Sequence, residues 1–165
     1  MTMNSTVLMW LGLAVLLFWA VGAYNRLVRL RSQGIAAFGV LEGLLSQFVP
    51  LACSEFAESG GLDAAADQFR VALKMCHAQP LNGARTNALT MAYETMCLGW
   101  QRQRQVQADP PVADAPPLRW EQLVVQAEMA RADFNKAVAR YNAAIAQFPA
   151  ALLARVFGFR PAQPL

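Results

Sequence analysis

The sequence predicts an all-α protein, an N-terminal transmembrane helix followed by an antiparallel up-down four-helix bundle. Three observations carry this. Residues 7–23, VLMWLGLAVLLFWAVGA, are wholly apolar, and the first 25 residues hold no charged side chain. Beyond that run, apolar residues recur at spacings of three and four along most of the chain, the period of a helix with one buried face. No alternating Val/Ile/Thr run bounded by turns, the signature of a strand, occurs.

The apolar run lies at the short end of the roughly 17–25 residues that a spanning helix needs. Trp10, Trp19 and Tyr24 suit the two membrane interfaces. A cleavable signal peptide is the competing reading, with Val21-Gly22-Ala23 as its cleavage site. It lacks the basic lead-in, and the apolar run passes without a break into an amphipathic pattern. An anchor over residues 1–24 is therefore expected. Arg26, Arg29 and Arg31 come directly after the span and no basic residue precedes it. The positive-inside rule then puts the N-terminus outside and the body in the cytoplasm.

The bundle is expected over residues 25–160. Its first helix covers about 25–58, with Leu27, Leu30, Gly34, Phe38, Leu41, Leu45 and Phe48 on its apolar face, a kink at Pro50 and a stop at Ser59-Gly60-Gly61. The second covers about 62–79, with Leu62, Ala66, Phe69, Leu73 and Cys76 inward and Asp63 and Asp67 near its start. The third covers about 84–107. Ala88, Met91, Thr95 and Leu98 form one apolar face and Leu89, Tyr93, Met96 and Trp100 another, as for a helix between two neighbours. A Pro-rich linker over 108–117 cannot be helical. The fourth covers about 118–148, with a coiled-coil-like seam of Trp120, Leu123, Ala127, Ala130, Phe134, Ala137, Tyr141, Ala144 and Phe148. Pro149 breaks it. A short helix over 150–157 ends at Gly158, and 161–165 reads as a loose tail.

Helix lengths place the C-terminal end. Counted from Tyr24, the four helices climb about 34 residues, return about 18, climb about 25 and return about 30, which leaves Pro149 roughly 17 Å above the membrane. The LLARVF segment is thus expected beside the juxtamembrane arginines.

Composition excludes several functions. Net charge is +3 and three positives are the juxtamembrane arginines, so the body is near neutral and nucleic acid is not an expected partner. Cys53, Cys76 and Cys97 are widely spaced and odd in number, unlike a disulfide framework. His77 beside Cys76 lacks the further ligands of a metal site. Glycine-rich phosphate loops and nucleophile elbows are missing. The carboxylates around the first hairpin, Glu42, Glu55, Glu58, Asp63 and Asp67, read as a solvated face rather than a catalytic pair. No catalytic residue, cofactor or metal is expected. Met75, Met91 and Met96 read as core filling, with a soft binding groove as the alternative.

One pattern resists the ordinary reading. FNKAVARYNAAIAQFP, residues 134–149, holds Phe134-Asn135 and Tyr141-Asn142 seven residues apart, and Tyr24-Asn25 repeats the pair upstream. Asparagine is a mediocre helix former. Either the amides are solvated, or they hydrogen-bond across an interface beside the seam. By the same height count Asn142 falls near Glu42, and a contact between them is one expectation.

Two stretches resemble the LemA family of bacterial membrane-anchored helical proteins. Tyr24 to Glu42 is similar to the family's YN-x-LV-x-LR pattern, here Tyr24, Asn25, Leu27, Val28, Leu30 and Arg31, followed by Phe38 and Glu42. Arg131 to Phe159 is similar to its second pattern, here Arg131, Phe134, Asn135, Val138, Tyr141, Asn142, Ile145, Phe148, Pro149, Ala154, Gly158 and Phe159. The chain departs from the family where Gly43 to Gln47 carries no base and where the proline-rich linker replaces an E-x-YP segment, so it resembles a divergent member. The resemblance implies a cytoplasmic helical bundle on one anchor, at the inner membrane of a bacterial cell, and no established enzymatic activity. With the bilayer as partner through residues 7–23, the expected role is a scaffold that recruits protein partners through the surface from Trp100 to Pro117, alone or as an oligomer. Membrane shaping by the LLARVF segment is the alternative, and an unrecognised enzyme the next.

Overall fold

A computed structural model describes the backbone of residues 2–55, 62–107 and 117–165, and the side chains of 6–55, 62–106 and 119–165. Six helices occur in it: α1 (Thr2–Leu45), α2 (Phe48–Glu55), α3 (Asp63–Ala78), α4 (Gly83–Gln107), α5 (Pro117–Ala146) and α6 (Ala150–Val156). No strand occurs among the described residues. α1 packs along α5, α3 along α4, and the short α2 bridges α3 and α5.

The first expected helix is two helices. The break falls at Ser46-Gln47 and not at Pro50. The Gln47 N–H turns back to the Leu44 carbonyl at 3.0 Å, and the Ser46 and Gln47 side chains both donate to the Gly43 carbonyl at 3.0 Å. Pro50 instead sits in the first turn of α2, where backbone N–H groups have no partner within the helix and a missing one costs nothing. The break swings Phe48, Val49 and Ala52 into the core. The stop expected at 59–61 lies outside the described residues, as does most of the proline-rich linker.

α3 buries the face its spacing predicts, Leu62, Ala66, Phe69, Leu73 and Cys76. Leu62 packs over Gly99 of α4, where a Cβ would lie 3.2 Å from the leucine methyl, so the small residue permits the close approach. The α3–α4 turn is capped from both sides. Asn82 Oδ1 accepts the Ala84 N–H at 3.1 Å, an N-cap, and the Arg85 guanidinium donates to the Met75 carbonyl at 2.8 Å near the end of α3.

α4 corrects an expectation. Leu89, Met96 and Trp100 are buried, but Ala88, Met91, Thr95 and Leu98 are exposed, so the helix buries one face and not two. Trp100, expected at the start of an exposed surface, is inside, stacked on Trp120 with ring centroids 3.9 Å apart and planes 5° apart. α5 starts at Pro117 with proline as its first residue, the position that tolerates it. Trp120, Leu123, Ala127, Ala130, Phe134, Tyr141 and Ala144 are buried as the seam predicts, with Val138 beside them. The helix stops at Ala146, short of Phe148, which therefore faces outward.

Aromatic side chains fill the core. Phe38 meets Phe134 edge-on at 5.7 Å, and Phe48 meets Tyr93 at 5.4 Å and Trp120 at 4.8 Å. Such edge-to-face contacts add roughly 0.5–1.5 kcal/mol each beyond area burial. The N-terminal part of α1 takes no part in this core. Residues 7–18 are exposed throughout, although they are apolar.

Candidate functional site

The residues singled out by pattern converge on the base of the bundle and on the groove beside α5. Phe134 and Tyr141 are buried and turn Asn135 and Asn142 to the rim of the groove, half-buried. Each amide holds the backbone of the C-terminal tail at two points. Asn142 donates to the Ala162 carbonyl at 2.7 Å and accepts the Ala162 N–H at 2.9 Å. Asn135 donates to the Leu165 carbonyl and accepts the Leu165 N–H, both at 2.8 Å. Tyr141 adds its hydroxyl, donating to the Arg160 carbonyl at 3.0 Å. An asparagine side chain carries one acceptor and one donor group, so each clamp satisfies both main-chain groups of one residue.

The spacings match for a geometric reason. Seven residues of α-helix advance about 10.5 Å. Three residues of extended chain advance about 10 Å. Positions 135 and 142 on the helix therefore face positions 165 and 162 on an antiparallel extended tail. Pro161 and Pro164 precede the clamped residues and remove N–H groups that the clamp does not use, while proline holds the chain extended. The tail expected to be loose is thus docked. Ala162 is buried, and Leu165 lies in a small cleft among Leu41, Leu45, Leu89, Tyr93 and Ala127.

α6 and Gly158 aim the tail at this groove. Gly158 has φ +71°, the left-handed region that glycine enters freely. The Phe159 N–H bonds the Ala154 carbonyl at 2.8 Å, closing a Schellman motif. The Phe148–Pro149 peptide before α6 is cis. α6 lies against α1 just after its apolar run, where the LLARVF segment is expected, but the turn before it sits lower than the height count puts it. Phe148 and Pro149 share a cleft with Phe18, Trp19, Gly22 and Arg26, level with the end of the apolar run rather than roughly 17 Å beyond it. The Tyr24 ring meets Phe157 at 4.9 Å and Phe159 at 6.0 Å, and Leu27, Ala144 and Ala154 form a buried cluster with Leu30, Ile145 and Phe159.

Other motif residues separate. Asn25, Val28 and Arg31 are exposed, and the third aromatic–asparagine pair makes no clamp among the described residues. Asn142 does not meet Glu42. Glu42 instead pairs with His77 of α3, whose Nδ1 lies 2.8 and 2.9 Å from the two carboxylate oxygens. Arg131 reaches Glu128 at 3.4 Å. The methionines divide: Met96 is buried, whereas Met75 and Met91 are exposed on the α3–α4 face. Sequence reasoning missed the tail as the partner of the amides. The available signal was the pairing of a seven-residue asparagine spacing with Pro-Ala-Gln-Pro-Leu three residues apart.

The groups with shifted proton affinity belong to the core. Burial raises the Cys76 thiol to about 11, and burial likewise raises Tyr93, Cys97 and Tyr141. These are neutral packing groups at neutral pH. No cluster of three His, Cys, Asp or Glu side chains suited to a metal gathers among the described residues.

Neither a curated protein nor a solved structure matches the chain. Over residues 119–165, which hold the clamp from α5 to the end of the tail, the chain matches the model of the LemA family, in agreement with the resemblance read from its sequence.

Proposed function

We propose that this protein is a single-pass, membrane-anchored helical module that presents a protein-binding surface at a fixed height above the cytoplasmic face of the cell membrane. One observation carries the reading. α1 is an unbroken helix of 44 residues, apolar and uncovered in its N-terminal part and built into the core from Leu27 onward. A helix of that length reaches about 66 Å, enough to cross a bilayer and continue into a bundle. With no hinge between the two parts, the bundle inherits the orientation of the span. Confinement raises the effective concentration of partners in the same membrane without requiring high affinity. The arginines after the span favour the cytoplasmic side for the body.

The exposed side of the α3–α4 hairpin, with Val71, Met75, Ala88 and Met91 around an open groove, is the surface for the partner test. Photoreactive residues at positions 75, 91 and 98, crosslinked in native membranes and read by mass spectrometry, are expected to capture a defined partner. Controls on the solvated face at Glu121 and Gln122 should not. Absence of any product above those controls would defeat the scaffold reading.

A further inference from the structure

Four large apolar side chains face outward at the base of the bundle. Phe148 is 82% exposed, Leu152 57%, Val156 78% and Phe157 58%. A contiguous apolar face of this kind marks an interaction surface. It is not a frayed end. The Schellman motif, the Tyr141–Arg160 bond and the Asn142–Ala162 clamp hold α6 and its exit in place.

Position and charge indicate what covers this face. Phe157 packs on Tyr24, the residue after the apolar segment. Phe148 and Pro149 share an open cleft of about 600 Å³ with Phe18, Trp19, Gly22 and Arg26 of α1. A Cβ built on Gly22 would meet nothing within 4 Å, so this side of the span is open. The α5–α6 turn therefore stands level with the last turns of the span, where hydrocarbon gives way to headgroups. Arg26, Arg29 and Arg31 of α1, Arg155 of α6 and Arg160 of the tail are all exposed there, and none is in an ion pair among the described residues. The apolar run is also short. Its 17 residues reach about 26 Å against a hydrocarbon thickness of roughly 30 Å, a mismatch that apolar groups beside its end would relieve.

We propose that the Phe148–Pro149 turn and α6 form a second lipid-contact site, in which Phe148, Leu152, Val156 and Phe157 enter the acyl boundary beside the α1 span while the surrounding arginines bind anionic phospholipid headgroups. The occupant is the bilayer that α1 crosses, and the proposal rests on that anchor reading. The cleft beside Phe18 and Gly22 takes a phospholipid chain, with Arg26 at the level of its phosphate. Short amphipathic helices with basic flanks bind membrane surfaces by this combination of apolar insertion and charge. Two attachments, span and α6, then fix the tilt of the bundle where the span alone would leave it free to rotate.

The test uses the full-length chain in vesicles of phosphatidylcholine and phosphatidylglycerol containing phospholipid with a photoactivatable acyl chain. Adducts are mapped by mass spectrometry. They are expected on Phe148, Leu152, Val156 and Phe157 at yields comparable to those on Phe18. Adducts confined to residues 7–23 would overturn the second site and leave the anchor standing. Their absence from residues 7–23 as well would overturn the anchor and the site together. With competing anionic and zwitterionic probes, the wild type should favour the anionic one at residues 148–157 by about fivefold or more. The Arg26→Gln, Arg29→Gln, Arg155→Gln triple variant should lose that preference. Equal labelling by the two probes in the wild type would overturn the headgroup contact.

Discussion

Asn142 holds Ala162 by both main-chain groups, donating to its carbonyl at 2.7 Å and accepting its N–H at 2.9 Å. Asn135 does the same to Leu165. Replacing Asn142 by alanine removes two hydrogen bonds and leaves two half-buried backbone groups without those partners. At roughly 0.5–1.5 kcal/mol net per bond, the loss of stability is about 1–3 kcal/mol. Hydrogen exchange makes the assignment local: N142A should deprotect the Ala162 amide, and N135A the Leu165 amide. Unchanged protection at both positions would show that the tail is held by other means.

Gly158 is the pivot that lets the tail enter the groove. A Gly158→Ala variant must put a side chain at φ +71°, a strain of roughly 1–2 kcal/mol. A lower melting temperature is expected, together with weaker protection at Ala162. A variant as stable as the wild type would contradict the strain argument.

The stacked pair Trp100–Trp120 closes the opposite end of the core. Trp120→Ala leaves a large cavity and is expected to cost about 3–5 kcal/mol, measured by denaturant unfolding. Near-ultraviolet circular dichroism should lose the signal of the stack. A cost below about 1 kcal/mol would place the indole outside a well-packed core.

Cysteine chemistry provides a test of orientation. Cys53 is exposed, whereas Cys76 is buried and its thiol is raised to about 11. Thiolate is the reactive form, so Cys53 should label with maleimide well before Cys76 at neutral pH. If the body is cytoplasmic, a membrane-impermeant maleimide should reach Cys53 only after lysis. Labelling in intact cells would reverse the topology.

Alkaline pH should destabilise the fold. Cys76, Cys97, Tyr93 and Tyr141 all have raised pKa values caused first by burial. A raised folded-state pKa means that the folded form binds protons more tightly than the unfolded one. Stability is then complete below the unfolded values and falls as pH rises through them. For Cys76 the window runs from about 9 to about 11. Melting temperature measured from pH 8 upward should decline, and Cys76→Ala should reduce the decline over that window. A flat profile would contradict the burial of these groups.

The pattern of apolar residues makes much of the fold legible. The α3 face, the α5 seam and the first-helix face from Leu27 to Phe48 are buried nearly as their spacing predicts. Helix lengths bring the C-terminal segment back to the right end of α1 but set Pro149 too high, since the structure holds it level with Phe18 to Arg26. Proline is less informative than it looks. Pro50 reads as a kink, but the chain breaks before it, because side chains at Ser46 and Gln47 satisfy the freed Gly43 carbonyl. The sequence offers α4 two apolar faces, and the structure buries the bulkier one, with Leu89, Met96 and Trp100, and leaves Ala88, Met91, Thr95 and Leu98 outside.

The clamp divides the two kinds of information. Residue order alone determined the apolar span, the helical periods and the recurrence of asparagine beside aromatic seam positions, because each depends on local spacing. What the asparagines bind was decided by the tertiary structure. Their partners are main-chain groups of Ala162 and Leu165, 20 and 30 residues away. Every residue but proline carries the same N–H and carbonyl. Only the reversal at Gly158, the stop of α5 at Ala146 and the packing of α6 on Tyr24 bring that particular stretch of backbone into the groove.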